Sequence, residues 1–283
     1  MSDYLLLIEK YFGPHLRHLE QAWSEGALAK PHFALIASYS DRLERRLRYI
    51  EPLGQTQAIV DEIGDKDPNI LDKRLMNALA EIRTLSHLHQ QGFTGLQKVM
   101  SFADIVGEHG GQRYAFQVTR ITTPVSDEIS RLNRKAKQSP RTGSPCGELE
   151  AIYHNYEKPL LNFFRPSIKS KNQTFQKWSQ TDVSRCIVVV TSDENLQDSM
   201  VVRHIACRQI RKAIKSLHDK TKLHFEELWW LPDLECGARF VVDPQQEEVH
   251  CFVGWRDRED PFTDPDCSDY REVDLGSPMP AYL

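Results

Sequence analysis

The chain has 283 residues, 40% hydrophobic and 27% charged, with a formal net charge of −4. That composition is ordinary for a soluble globular protein of one large or two modest domains, and no segment approaches the roughly 18 apolar residues that a membrane span requires. The charge is polarised, at −2 over residues 1–119, +9 over 120–222 and −11 over 223–283, so the middle has the sign for phosphates and the end has the sign to neutralise it.

The opening MSDYLLLIEKYF lacks the basic n-region and apolar run of a signal peptide, which sets the expectation of a cytoplasmic protein. The six cysteines form no CxxC pair, which argues against a zinc ribbon or a disulfide framework and for reduced thiols.

In chain order, residues 1–66 read as a helical N-terminal domain or arm. SDYLLLIEKYF starts at a capping Ser, GPHLRHLEQAW restarts after Gly13-Pro14, and HFALIASYSDRLERRLRYI ends before Pro52 and Gly54. The arginines of DRLERRLR read as a charged helix face. A longer helix is predicted over 68–91, with Pro68 in its first turn and Gly92 at its stop. Leu71, Leu75, Ala78, Leu79, Ile82 and Leu85 make its apolar stripe, and Glu81 sits at the stripe's edge.

The period then changes from 3.6 to 2. GLQKVMSF, ADIVGEH and QRYAFQVTRI read as a three-stranded meander, with Gly110-Gly111 as a two-residue turn. Residues 121–150 are polar and basic and read as a helical start followed by a long exposed loop. A second helical region, broken by Pro159 and Pro166, leads to a buried strand at RCIVVVTSD and a helix over 199–218. FEELWWLP, ARFVVDP and EVHCFVGW read as short strands, with Trp229-Trp230 as core. An α/β domain is thus expected over 67–256. The acidic, proline-punctuated 257–283 reads as a tail, disordered or laid over the surface.

If Gly110-Gly111 forms the turn, His109 faces Gln112 and Asp104 falls across from Gln117. Asp104 and Gln117 then share a polar face with Ala115 and Thr119, opposite Ile105, Tyr114, Phe116 and Val118. A carboxylate, an amide oxygen and the backbone carbonyl between site residues are ligands that a hard cation such as Mg2+ or Mn2+ accepts.

This order of elements and residues resembles the PD-(D/E)xK nuclease superfamily, over roughly half the chain. The likeness implies a restriction-endonuclease-like central mixed sheet flanked by helices, with Asp104 as the metal-binding acid, Gln117 in the second acid's place as in the QxK subset, and Glu81 as the optional acid of the first helix. Two departures stand out. Ala103 replaces the proline before the aspartate, and Thr119 occupies the catalytic lysine's position. A Thr hydroxyl carries no positive charge for the phosphate, so Lys98, Lys169 and Lys171 are the candidates for a relocated lysine.

The leading expectation is therefore a metal-dependent nuclease, acting on DNA, of the kind that serves restriction, defence or mobile elements. Arg131, Arg134, Lys135, Lys137, Arg141, Arg208, Arg211 and Lys212 would contact phosphates, which gives affinity without sequence information. The alternative is a catalytically degenerate member that binds nucleic acid or assembles with a protein through the helical N-terminal region or the acidic tail. An unrelated α/β binding protein is the third reading, and homo-oligomerisation stays open. The sequence has no GxxxxGK[ST], GxSxG or HExxH motif, and His87 and His89, two apart on a helix, cannot face one metal together.

Overall fold

The computed structural model describes residues 5–28, 31–64, 67–99, 103–121, 145–178, 182–191, 200–232, 237–243, 248–255 and 269–275. The chain is α/β and divides into two units, Met1–Arg120 and Ile121–Leu283.

The first unit begins with helix α1, Leu6–Ser24. It runs straight through Gly13-Pro14, where the sequence predicted a restart. Pro14 removes one backbone donor, but Leu7, Ile8, Phe12, Leu16 and Leu19 make an unbroken buried stripe across it, and burying such side chains is worth about 1.5–3 kcal/mol each. The predicted capping Ser2 lies outside the described residues. The orphan N–H groups of α1 are instead taken by a buried carboxylate from α2 (Ser40–Ile50): Leu7 N–H and Ile8 N–H both donate to Glu44 Oε2, at 2.9 and 3.1 Å.

A 3-10 helix, His32–Tyr39, precedes α2 where one continuous helix was predicted. Three residues per turn align Phe33 with Ile36, both buried. The same device caps it, because His32 N–H and Phe33 N–H donate to the buried Asp72 carboxylate at 3.0 and 2.8 Å. A short 3-10 turn, Glu51–Leu53, and α3, Thr56–Asp61, lead to α4, Pro68–Gln90. The bounds of α4 follow the predicted signals. Asp67 Oδ1 accepts from Asn69 N–H at 2.9 Å, Pro68 opens the first turn, and Gly92 follows with φ 82°. All six predicted stripe residues are buried, and α4 packs against α1, α2 and α3. Strands β1 (Thr94–Lys98), β2 (Ile105–His109) and β3 (Gln112–Ile121) then form an antiparallel meander.

In the second unit, α5 spans Pro145–Gln176 without a break, contrary to the interruptions expected at Pro159 and Pro166. Leu160, Phe164, Ile168 and Phe175, at most 1% exposed, keep one apolar stripe on its described part. Their burial outweighs roughly 3 kcal/mol for an interior proline. Strand β4 (Ser184–Thr191), helix α6 (Met200–His218) and strand β5 (Glu227–Pro232) make a parallel crossover unit, with Cys186 opposite Glu227 and Thr191 opposite Pro232. β6 (Ala238–Asp243) and β7 (Glu248–Trp255) continue the sheet antiparallel, so it is mixed. Part of the presumed tail supplies its next strand, β8 (Asp269–Glu272), paired with β7. α5 packs along α6 and β4, over a core that includes Phe164 edge-on to the fully buried Trp230. No helix among the described residues is long and apolar enough to cross a membrane.

Candidate functional site

The β2–β3 turn is the one the diglycine predicted. Gly110 and Gly111 have φ of 58° and 79°, the pair of left-handed residues that a type I′ hairpin needs. The register runs from His109↔Gln112 to Ile105↔Phe116, and it would carry Asp104 to Gln117 if the ladder continued.

It does not continue. Asp104 N–H donates to the Phe116 carbonyl at 2.9 Å, so Asp104 and Ile105 together oppose Phe116, the two-against-one arrangement of a β-bulge. The Asp104 carboxylate then occupies the place of a ladder carbonyl: its Oδ2 accepts from Val118 N–H at 2.7 Å. The Asp104 carbonyl turns the other way and accepts from Val99 N–H at 3.0 Å. Along β3, alternation leaves Gln117 with Ala115 on the face opposite Phe116 and Val118. Gln117 is buried, so the expected solvent-facing polar surface is a covered one.

On the side of α4 the structure assembles an ion cluster within the first unit. Lys98, at the end of β1, donates from Nζ to Glu81 Oε1 at 2.9 Å and lies 3.3 Å from Glu62 Oε2. The Lys98 side chain is only 5% exposed. Its backbone N–H is fixed by Gln55 Oε1 at 3.0 Å. Glu81 Oε2 is buried and meets no hydrogen-bond donor among the described residues.

The Glu81 carboxyl is pushed up to about 7: burial raises it most, the Lys98 ammonium offsets part of that, and the negative charges of Asp104 and Glu62 add to the rise. Desolvation works against the charged form of Lys98, yet Glu81, Glu62 and Asp104 together raise its affinity for the proton above the ordinary lysine range. One ammonium among three carboxylates leaves a surplus of negative charge, and a proton on Glu81 or an added cation is what would offset it. The donors fit a hard divalent cation in kind: carboxylate oxygens from Glu81 and Asp104, one of them buried without a donor. Among the described residues, however, no group of three or more His, Cys, Asp or Glu side chains is disposed to hold a metal.

The structure thus brings Glu81, Lys98 and Asp104 together and adds Glu62, for which the sequence offers no signal because its place in the cluster comes from the packing of α3 against α4. Thr119 is half-buried on β3. Arg120 points to α4, where its Nη1 donates to the Met76 carbonyl at 3.1 Å. Lys169 and Lys171 lie on α5 in the second unit, exposed and half-buried respectively. Arg208, Arg211 and Lys212 lie on α6. Arg131, Arg134, Lys135, Lys137 and Arg141 fall outside the described residues. His87 is buried in α4, where desolvation and the charges of Arg83 and Arg46 hold it well below the usual histidine range. Compared with known proteins, the chain matches no family model, no curated protein and no solved structure.

Proposed function

We propose that this protein is a metal-dependent nuclease with a restriction-endonuclease-like arrangement, cleaving phosphodiester bonds in DNA. The observation that carries the proposal is the buried Lys98 ammonium held against Glu81, with the charge of Asp104 acting on both. It offers the positive charge that Thr119 lacks, from β1, two strands away in the meander. The succession α4, β1, β2, β3, α5, β4 also supports the reading, since it is the helix, meander, helix, strand order of PD-(D/E)xK nucleases.

Under this reading the Glu81 and Asp104 carboxylates would hold Mg2+ or Mn2+, with water completing the coordination. When bound, the ion lowers the pKa of a water and offsets charge on the phosphate. Lys98 would supply positive charge toward the phosphate, an electrostatic role whose removal typically costs 10²–10³ in rate.

A second reading, a degenerate nuclease fold that binds nucleic acid or a protein, is favoured by one specific observation. Asp104 Oδ2 already accepts from Val118 N–H, and Lys98 is already satisfied by Glu81 and Glu62. The two readings separate when plasmid and single-stranded DNA are incubated with Mg2+ or Mn2+ and wild type or Asp104→Asn. Cleavage by wild type alone supports the nuclease. Retention of DNA without cleavage by either protein supports the binder.

A further inference from the structure

Four cations on α6, Arg208, Arg211, Lys212 and Lys215, recur at intervals of three and four residues and share one helix face. Like charges at that spacing repel, and on a convex face water would simply screen them. Here they line a cavity of 470 Å³ in the second unit, walled on its apolar sides by Leu161 of α5 and by Leu275, just past β8. Asp219 is the one acid among its described lining residues. The cations are graded by depth: Arg208 and Arg211 are half-buried, whereas Lys212 and Lys215 are exposed. The Arg211 Nε is buried and meets no acceptor among the described residues. A buried guanidinium N–H without an acceptor is costly, and an incoming oxyanion supplies that acceptor in the fork geometry arginine is built for.

The geometry points to a binding pocket for a phosphate monoester carrying an organic body, with the phosphate on Arg208 and Arg211 and the body against Leu161 and Leu275. The volume falls within the range of small-molecule sites, about 300–1,000 Å³. The ligand's phosphate can come from a free nucleotide or from the 5′ end of a nucleic-acid strand. The pocket goes beyond the nuclease reading and stands without it, because it belongs wholly to the second unit and its readout is binding.

The test is titration calorimetry on the full chain at low salt, using adenosine 5′-monophosphate, adenosine, and matched oligonucleotides with 5′-phosphate or 5′-hydroxyl ends. Binding of the monophosphate without binding of adenosine is expected, weakened at least tenfold by the double substitution Arg211→Gln and Lys212→Gln and unchanged by Lys177→Gln, an exposed charge elsewhere in the same unit. Arg211→Lys, which keeps the charge and loses the fork, should weaken it severalfold and covers the case in which the double variant fails to fold. Preference for the monophosphate assigns the source to a free nucleotide, and preference for the 5′-phosphorylated strand assigns it to a nucleic-acid end. The pocket is overturned if neither phosphomonoester binds, if folded variants bind as tightly as wild type, or if both oligonucleotides bind equally while the monophosphate does not.

Discussion

Replacing Glu81 with Gln tests the electrostatics of the cluster most cleanly, because the amide imitates the protonated carboxyl in size. Burial holds the Glu81 carboxyl at about 7 in the folded protein, against 4.5 for an ordinary glutamate. A raised carboxyl binds its proton more tightly when folded, so its contribution to stability is fully present below about pH 4.5 and is lost as pH rises through about 7. Each unit of difference corresponds to about 1.36 kcal/mol, so the wild type should lose about 2–3 kcal/mol from this one group between pH 5 and pH 8. Glu81→Gln removes that dependence. Urea unfolding at half-unit pH intervals would show the wild-type and variant curves converging below about pH 4.5 and separating progressively between about pH 4.5 and 7. A Glu81→Gln curve with the wild-type slope across that window would refute the argument, because the buried carboxyl would then not be the titrating group.

Glu44→Ala deletes the carboxylate that accepts from Leu7 and Ile8 N–H and should cost about 1–3 kcal/mol of stability by denaturant titration, with α1 losing hydrogen-exchange protection first. Gly111→Ala forces a side chain into φ 79° where no atom lies within 4 Å, so the cost is backbone strain alone, about 1–2 kcal/mol, and Gly111→Asn should recover part of it. Thr191→Val leaves the buried Trp230 Nε1–H without the hydroxyl that accepts it at 3.0 Å, for a loss of about 1–3 kcal/mol and a change in tryptophan fluorescence.

The parts legible in the sequence are those where local chemistry and global packing agree. Pro68, Gly92 and six stripe residues bracket α4 so tightly that no tertiary contact had to override them, and Gly110-Gly111 specified both the turn and the register of β2 with β3. Prolines were the weak guide. Pro14, Pro159 and Pro166 each argue for a break on local grounds, yet α1 and α5 continue because the buried stripes on either side are worth more than one missing donor. The site was legible by residue and not by geometry. Glu81 and Asp104 were readable from spacing, but pairing arithmetic assumes an unbroken ladder, and at Asp104 a side-chain carboxylate substitutes for a ladder carbonyl. Alternation therefore does not carry Asp104 to Gln117. Glu62 joins the cluster through the packing of α3 on α4. The pocket on α6 was visible as a row of charges, but its concavity depends on Leu161 and Leu275, which stand 114 positions apart in the sequence.

The proposed relocation of the positive charge from Thr119 to Lys98 is the step on which the proposed catalysis turns, and the initial rate of plasmid nicking in Mg2+ by wild type and Lys98→Met measures it. The account predicts nicking by the wild type and a loss of about 10²–10³ in the variant, with both proteins folded at the assay temperature. Equal rates would contradict it, as would a wild type that binds DNA and leaves it intact.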